Sequence, residues 1–210
     1  MDREKRITED FSLEALRKGD RAEFARLVEA YSGVIYRLAV KMLDDTQDAE
    51  DVLQETFIKA YRHLPNFDGR SSLSTWLYRI AANEALMMIR KRRNVTVSLD
   101  ETTEVGDHEV EPVQIVDWCC MPEAELVSSE ARHTMQQAID ALPPTLRAVF
   151  VLRDIEGLST QETGDVLNLS EAAVKTRLSR ARMRLRELLS EYYAERMAGR
   201  DAAQPELSGD

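Results

Sequence analysis

Residues 159–170 carry three helix signals within a dozen positions, and they leave that stretch little choice of local fold. Ser159-Thr-Gln-Glu162 reads as a capping box: a serine oxygen accepts from the amide three residues on, and the glutamate reaches back to the serine amide. Asn168 tolerates the left-handed conformation that ends a helix, and Ser170 is a favoured N-cap for the next one. The segment between them is a short helix with Val166 and Leu167 on its inner side. Gly164, in its middle, costs about 1 kcal/mol against alanine, which makes sense where a second helix packs close. The helix after Ser170 has an inner stripe of Val174, Leu178, Ala181 and Leu185 at helical spacing. Its outer side carries Lys175, Thr176, Arg177, Ser179, Arg180, Arg182 and Arg184. Two helices so joined form a helix-turn-helix. A cationic second helix suits the major groove, where Lys and Arg reach phosphates and guanine edges; a merely solvated basic face is the competing reading.

The whole-chain charge points the other way. The 210 residues include 28 Lys or Arg and 38 Asp or Glu, a net charge of −10, and DNA is a polyanion. The distribution resolves the conflict. Segment 171–186 holds six basic residues against one acidic, whereas segment 94–131 holds ten acidic residues and no Lys or Arg. A basic helix and an acidic tether are averaged together in the total.

Glycine (8) and proline (6) are scarce, which favours helices over sheets. The expected fold is all-α: two small helical domains joined by an acidic, largely irregular linker. Residues 1–93 form the first domain, 94–131 the linker, 132–197 the helix-turn-helix domain and 198–210 a disordered tail. In the first domain, Phe24, Leu27, Val28, Tyr31 and then Ile35, Leu38, Ala39, Met42 recur at helical spacing. Asp48-Ala-Glu-Asp51 opens a helix with an apolar stripe of Ala49, Val52, Leu53, Phe57, Ala60, Tyr61 and Leu64, its acidic first turn matched to the helix dipole. Pro65-Asn-Phe-Asp-Gly69 breaks the pattern as a loop. Ser72 or Ser74 caps the next helix, which carries Trp76, Leu77, Ile80 and Ala81 and ends in Arg90-Lys-Arg-Arg93.

No apolar run approaches bilayer-spanning length, and MDREKRITED lacks the apolar core of a signal peptide, so the expected location is the cytoplasm, with no membrane contact. Cys119 and Cys120 are adjacent and form no disulfide framework. With His108 and His133 they match no standard zinc spacing. Trp118-Cys-Cys-Met121 reads instead as a hydrophobic anchor for the linker. No cofactor or metal is expected.

At this point the chain resembles a known family. Leu142-Pro-Pro-Thr-Leu-Arg-Ala-Val-Phe-Val-Leu-Arg-Asp-Ile-Glu-Gly-Leu-Ser159 and Ala173-Val-Lys-Thr-Arg-Leu-Ser-Arg-Ala-Arg182 look like the DNA-reading domain of extracytoplasmic-function sigma factors. Asp48-Ala-Glu-Asp-Val-Leu-Gln-Glu-Thr-Phe57 and Phe67-Asp-Gly-Arg-Ser-Ser-Leu-Ser-Thr-Trp-Leu-Tyr-Arg-Ile-Ala-Ala-Asn83 look like its core-binding and promoter-melting stretches. The resemblance covers roughly residues 20–93 and 130–190. It implies that Asp48, Asp51, Gln54, Glu55 and Ile58 dock on the coiled coil of the largest subunit of core RNA polymerase, with the flap region as a further contact. Six carboxylates and no cation in 44–55 fit a basic partner, because like charges four apart on a helix repel. It implies that Phe67, Ile80 and Asn83 form a pocket for a base flipped from the −10 element, with Arg79 and Arg90 on phosphates. Unpaired bases stack on aromatics and are read through their edges. Trp76 and Leu77 read as core, and Phe67 has a rival reading as a core plug. By the same resemblance Lys175, Thr176, Ser179 and Arg180 read the −35 element while Arg177 and Arg182 grip backbone. Lys175 stands where arginine is common and lacks its planar fork. The acidic linker is implied to enter the RNA path of the polymerase, and an anti-sigma factor is an implied partner.

The residues leave a second reading open, a helix-turn-helix regulator acting without core polymerase. An enzyme is disfavoured: no phosphate loop, nucleophile–base pairing or His-Glu-x-x-His appears.

Overall fold

The computed structural model describes residues 11–43, 45–97 and 129–201, with side chains described through residue 92 in the first block and over 133–190 in the second. These segments are helical, and no strand occurs among the described residues. The first block contains α1 (Leu13–Arg17), α2 (Arg21–Leu43), α3 (Thr46–His63) and α4 (Leu73–Val97), with a single 3₁₀ turn at Leu64–Asn66. The second contains α5 (Ser129–Asp140), α6 (Pro144–Phe150), a π-helical turn (Val151–Ile155), α7 (Thr160–Leu167) and α8 (Glu171–Asp201).

Each boundary has a local cause. Ser12 caps α1, its Oγ accepting from the Ala15 amide at 3.2 Å. Asp45 caps α3 by accepting from the Asp48 amide at 3.0 Å, so that helix begins at Thr46, two residues before the acidic cluster the sequence suggests. Ser72 caps α4, accepting from the Thr75 amide at 3.1 Å. The cationic run Arg90–Arg93 does not end α4, which continues to Val97. Likewise α5 begins at Ser129, inside the expected linker, and α8 runs to Asp201, beyond the expected end at 197. The Cys119–Cys120 anchor, His108 and most of the acidic linker lie outside the described residues.

Helices α2, α3 and α4 form a three-helix bundle in which each packs against the other two. α2 buries Leu27, Tyr31, Ile35, Leu38 and Met42 on one stripe, and α3 buries Ala49, Val52, Phe57 and Ala60. α4 presents Leu77 together with Ala81, Ala82 and Ala85, and the three alanines let helices approach closely. Tyr61, expected in the core, is exposed; its ring meets Phe24 edge-on at 4.9 Å. In the second block Ala138, Ile139 and Leu142 pack on Ala181, Leu185 and Leu189.

The two blocks do not stand apart. Ala148, Val151, Leu152, Leu158 and Val166 join the same apolar core as Leu16, Leu38, Leu64 and Leu77. Arg147 donates from α6 to the Met42 carbonyl at the end of α2, at 3.2 Å.

Candidate nucleic-acid and protein interface

The helix-turn-helix forms as its residues dictate. Ser159 Oγ accepts from the Glu162 amide at 3.1 Å, and Glu162 accepts from the Ser159 amide at 2.7 Å. Asn168 adopts φ 54°, ψ 50°, the left-handed turn. Ser170 caps α8, accepting from the Ala173 amide at 3.2 Å. Gly164 is required by the turn more than by the second helix: a Cβ there would lie 2.7 Å from the Leu169 carbonyl oxygen, and 3.9 Å from Val174 on α8.

The inner stripe of α8 is buried at Val174, Leu178, Ala181 and Leu185. The outer face leaves Lys175, Thr176, Ser179 and Arg180 exposed and Arg177 half-buried. Thr176 donates its hydroxyl to the Ala172 carbonyl at 3.0 Å, and Lys175 lies 4.0 Å from Glu171. Arg182 differs from its neighbours. It makes a two-point pair with Asp154 at 2.7 and 2.8 Å, and this hydrogen bonding holds its guanidinium still more firmly charged. Its fork is already engaged within the fold. Met183 is an exposed apolar residue on the same helix.

On α3, Asp51, Gln54 and Ile58 are exposed and Glu55 half-exposed. Asp48 differs again: Arg92 of α4 lies 2.5 Å from it and 3.3 Å from Asp45. The amide of Asp48 and this guanidinium hold the Asp45 carboxyl below its usual range. Lys59 lies 2.6 Å from Glu84 of α4 and 3.5 Å from Glu55, and the Glu84 hydrogen bond raises its proton affinity. The acidic surface is therefore partly compensated from within, most at Asp48 and least at Asp51.

Beside α4 lies a cleft of about 380 Å³, lined by Asn66, Phe67, Asp68, Arg70, Trp76 and Arg79 among others. Phe67 is buried, its ring 4.9 Å from Trp76, and its carbonyl accepts from Arg17 Nε at 2.9 Å. It plugs the α1 side of the core and forms a wall of the cleft at once. Arg79 keeps a buried Nε without a hydrogen-bond partner. Ile80 is half-buried and Asn83 and Arg90 exposed, but none of the three lines the cleft. Trp76, read from sequence as core, is half-buried and does line it. Asp165 of α7 completes the wall from the other block, a contribution no local sequence signal announces.

The chain carries a Glu-x-x-His spacing at Glu130 and His133; His133 is exposed. Among the described residues no group of three or more His, Cys, Asp or Glu side chains could hold a metal. No helix among them is long and apolar enough to cross a membrane.

Known proteins match this arrangement. The family model for Sigma-70 region 2 matches residues 27–95, and that for Sigma-70, region 4 matches residues 132–185. The chain is 40% identical over 177 residues to the ECF RNA polymerase sigma factor SigW of Bacillus subtilis, covering 84% of this chain and 94% of that one. It is 39% identical over 176 residues to the RNA polymerase sigma-H factor of Pseudomonas aeruginosa, covering 81% and 88%. Among solved structures, CnrH in complex with the cytosolic domain of CnrY is similar at a TM-score of 0.59 and 27% identity, over 84% of this chain and 94% of that one. The fold of RpoE from Bartonella quintana, solved with the anti-sigma factor NepR, aligns at a TM-score of 0.58 and 24% identity, over 80% and 96%.

Proposed function

We infer the working parts of this chain from one premise: it belongs to the extracytoplasmic-function sigma factors of the sigma-70 family. It is a sigma factor that initiates transcription with core RNA polymerase at promoter DNA. Its parts divide the work by charge. The outer face of α3, centred on Asp51, Gln54, Glu55 and Ile58, docks on a basic coiled coil of the polymerase, with Ile58 adding apolar contact. Asp48 belongs to the same face but serves first to anchor Arg92.

The α4 cleft receives a base unstacked from the −10 element. Phe67 offers an aromatic wall and Arg79 a donor, while Asn83, outside the cleft on the exposed face of α4, offers −10 DNA an amide that both donates and accepts. Arg90 meets phosphate. Helix α8 enters the major groove of the −35 element, with Lys175, Thr176, Ser179 and Arg180 toward base edges and Arg177 toward phosphate. Arg182 reaches backbone only by releasing Asp154, so it contributes less than its charge suggests. The acidic linker follows the RNA path, where growing RNA displaces it. The domains divide at 1–93, 94–131, 132–197 and 198–210, with the helix ends extended as described. The chain acts in the cytoplasm by binding, with no cofactor, no membrane contact and no chemistry of its own. An anti-sigma factor covers it when it is idle, as CnrH is held with the cytosolic domain of CnrY.

The observation that carries this reading is the outward cationic face of α8, presented by a capped, left-handed turn. Reconstitution with bacterial core polymerase on a promoter library tests it. Specific run-off transcripts that require both components are expected. A chain that shifts promoter DNA by itself and never joins core polymerase would be a regulator instead.

A further inference from the structure

Helix α8 has its cations matched in two ways. Lys175 and Arg184 are matched from α8 itself, Lys175 lying 4.0 Å from Glu171 and Arg184 2.9 Å from Glu187. Arg182 is matched from another element. Its Nε donates to Asp154 Oδ2 at 2.8 Å and its Nη2 to Oδ1 at 2.7 Å, the two-point fork that a guanidinium also offers a phosphate. The carboxylate is held in place by its own turn. Asp154 stands in the π turn, where the Glu156 amide donates to the Val151 carbonyl at 2.9 Å and where Val151 and Leu152 are buried. The Asp154 side chain is 23% exposed and that of Arg182 57%, so the pair lies at the surface, open to a ligand on α8. Arg182 follows Lys175 by seven residues and Ser179 by three, which puts it on the helix face assigned to the −35 element.

We propose that Asp154 is a specificity-determining residue of the −35 interface: it occupies the phosphate-binding fork of Arg182 and so keeps a sequence-blind contact out of the complex. Carboxylate and DNA phosphate compete for one guanidinium. A phosphate contact strengthens binding to every sequence alike, whereas base-edge contacts tell sequences apart. An exposed two-point pair shifts such a competition by about fivefold. With Arg182 restrained, the choice of site is left to Lys175, Thr176, Ser179 and Arg180.

This inference rests on the reading that α8 enters the groove, and a control at Arg177 lets the two fail separately. Holoenzyme assembled from the full chain and bacterial core polymerase is titrated onto a fluorescent duplex carrying a promoter recovered from the library. It is titrated likewise onto the same duplex with its −35 element scrambled, and anisotropy is followed from low to moderate salt. Asp154→Asn, which keeps the shape and loses the charge, is expected to tighten binding about fivefold on both duplexes. It is also expected to steepen the log–log salt dependence by about one unit, the mark of one further phosphate neutralised. In an Arg182→Gln background the same substitution should leave the salt dependence where it was, because no guanidinium is released. Arg177→Gln should flatten that dependence by about one unit on either duplex. If neither Arg177→Gln nor Asp154→Asn has an effect, the groove reading itself falls; if Arg177→Gln acts and Asp154→Asn does not, the restraint alone falls. Circular dichroism checks helix content, and if Asp154→Asn loses it, Asp154→Ser is measured with the same expectation. Weaker binding by the folded variant would make the pair a strut for α8. That result, an unchanged salt dependence, or an equal gain without Arg182 overturns the proposal.

Discussion

Replacing Gly164 by alanine sets two calculable effects against each other. Gly164 lies inside α7, so alanine gains about 1 kcal/mol of helix propensity. Against that, the new Cβ would stand 2.7 Å from the Leu169 carbonyl oxygen, well inside ordinary carbon–oxygen contact. The obstacle is backbone, and it is held: the Leu169 amide donates back to the Gly164 carbonyl at 2.9 Å, and Ser170, the next residue, caps α8. Relief must come from moving the turn, and overpacking of this kind costs about 1–3 kcal/mol. The net expectation is a loss of about 1 kcal/mol, a fall in Tm of roughly 2–4 °C for a chain of this size. Because the displaced turn aims α8, promoter-dependent transcription should fall further than stability alone explains, while core affinity stays. Thermal unfolding by circular dichroism and run-off transcription read the two effects. A Tm that rises by a similar amount would show the propensity gain unopposed and refute the steric argument.

Asn168→Ala should cost about 1–2 kcal/mol because alanine resists the left-handed turn, whereas Asn168→Gly should stay within a few tenths; unfolding midpoints in urea distinguish them. Asn83→Ala should blunt discrimination among −10 sequences in run-off assays and leave core affinity intact; an equal fall in core affinity would remove Asn83 from the DNA surface. Burial, and next the Glu156 carboxylate, push the Tyr78 hydroxyl well above the usual tyrosine range, with Arg37 opposing. Folding thus favours the protonated form: its contribution is complete below about pH 10 and erodes as pH rises beyond that. Stability curves of the parent chain and Tyr78→Phe should therefore differ in slope above pH 10, and parallel curves would contradict the burial of that hydroxyl.

The helix-turn-helix was legible in the sequence because its determinants are local. A capping box spans four residues and a left-handed asparagine is one, so Ser159, Glu162, Asn168 and Ser170 each carry their geometry in their own chemistry. The stripe of α8 was legible for the same reason. Long-range pairing was not. Nothing near Arg182 marks Asp154 as its partner 28 residues away, and nothing near Asp48 announces Arg92 of α4. Helix ends beyond charged runs were also missed: Arg90–Arg93 suits a C-terminus by dipole, but α4 simply continues. Tyr61 fits the apolar period of α3, yet its position on the helix leaves the ring lying over Phe24 at the surface. The union of the blocks was the largest omission, because Glu156, Lys41 and Tyr78 meet across distances that no periodicity records.

Docking of the anionic α3 face on a basic surface of the polymerase is the proposal most open to direct test. Equilibrium binding of the full chain to core enzyme, measured across ionic strength for the parent and for Asp51→Lys combined with Glu55→Lys, addresses that directly. The parent should bind, weakening as salt screens the contact, and the doubly reversed chain should lose at least tenfold, roughly 1.4 kcal/mol, with its thermal stability nearly unchanged. A parent chain that does not associate at moderate salt, or a reversed chain that binds as well as the parent, would contradict it.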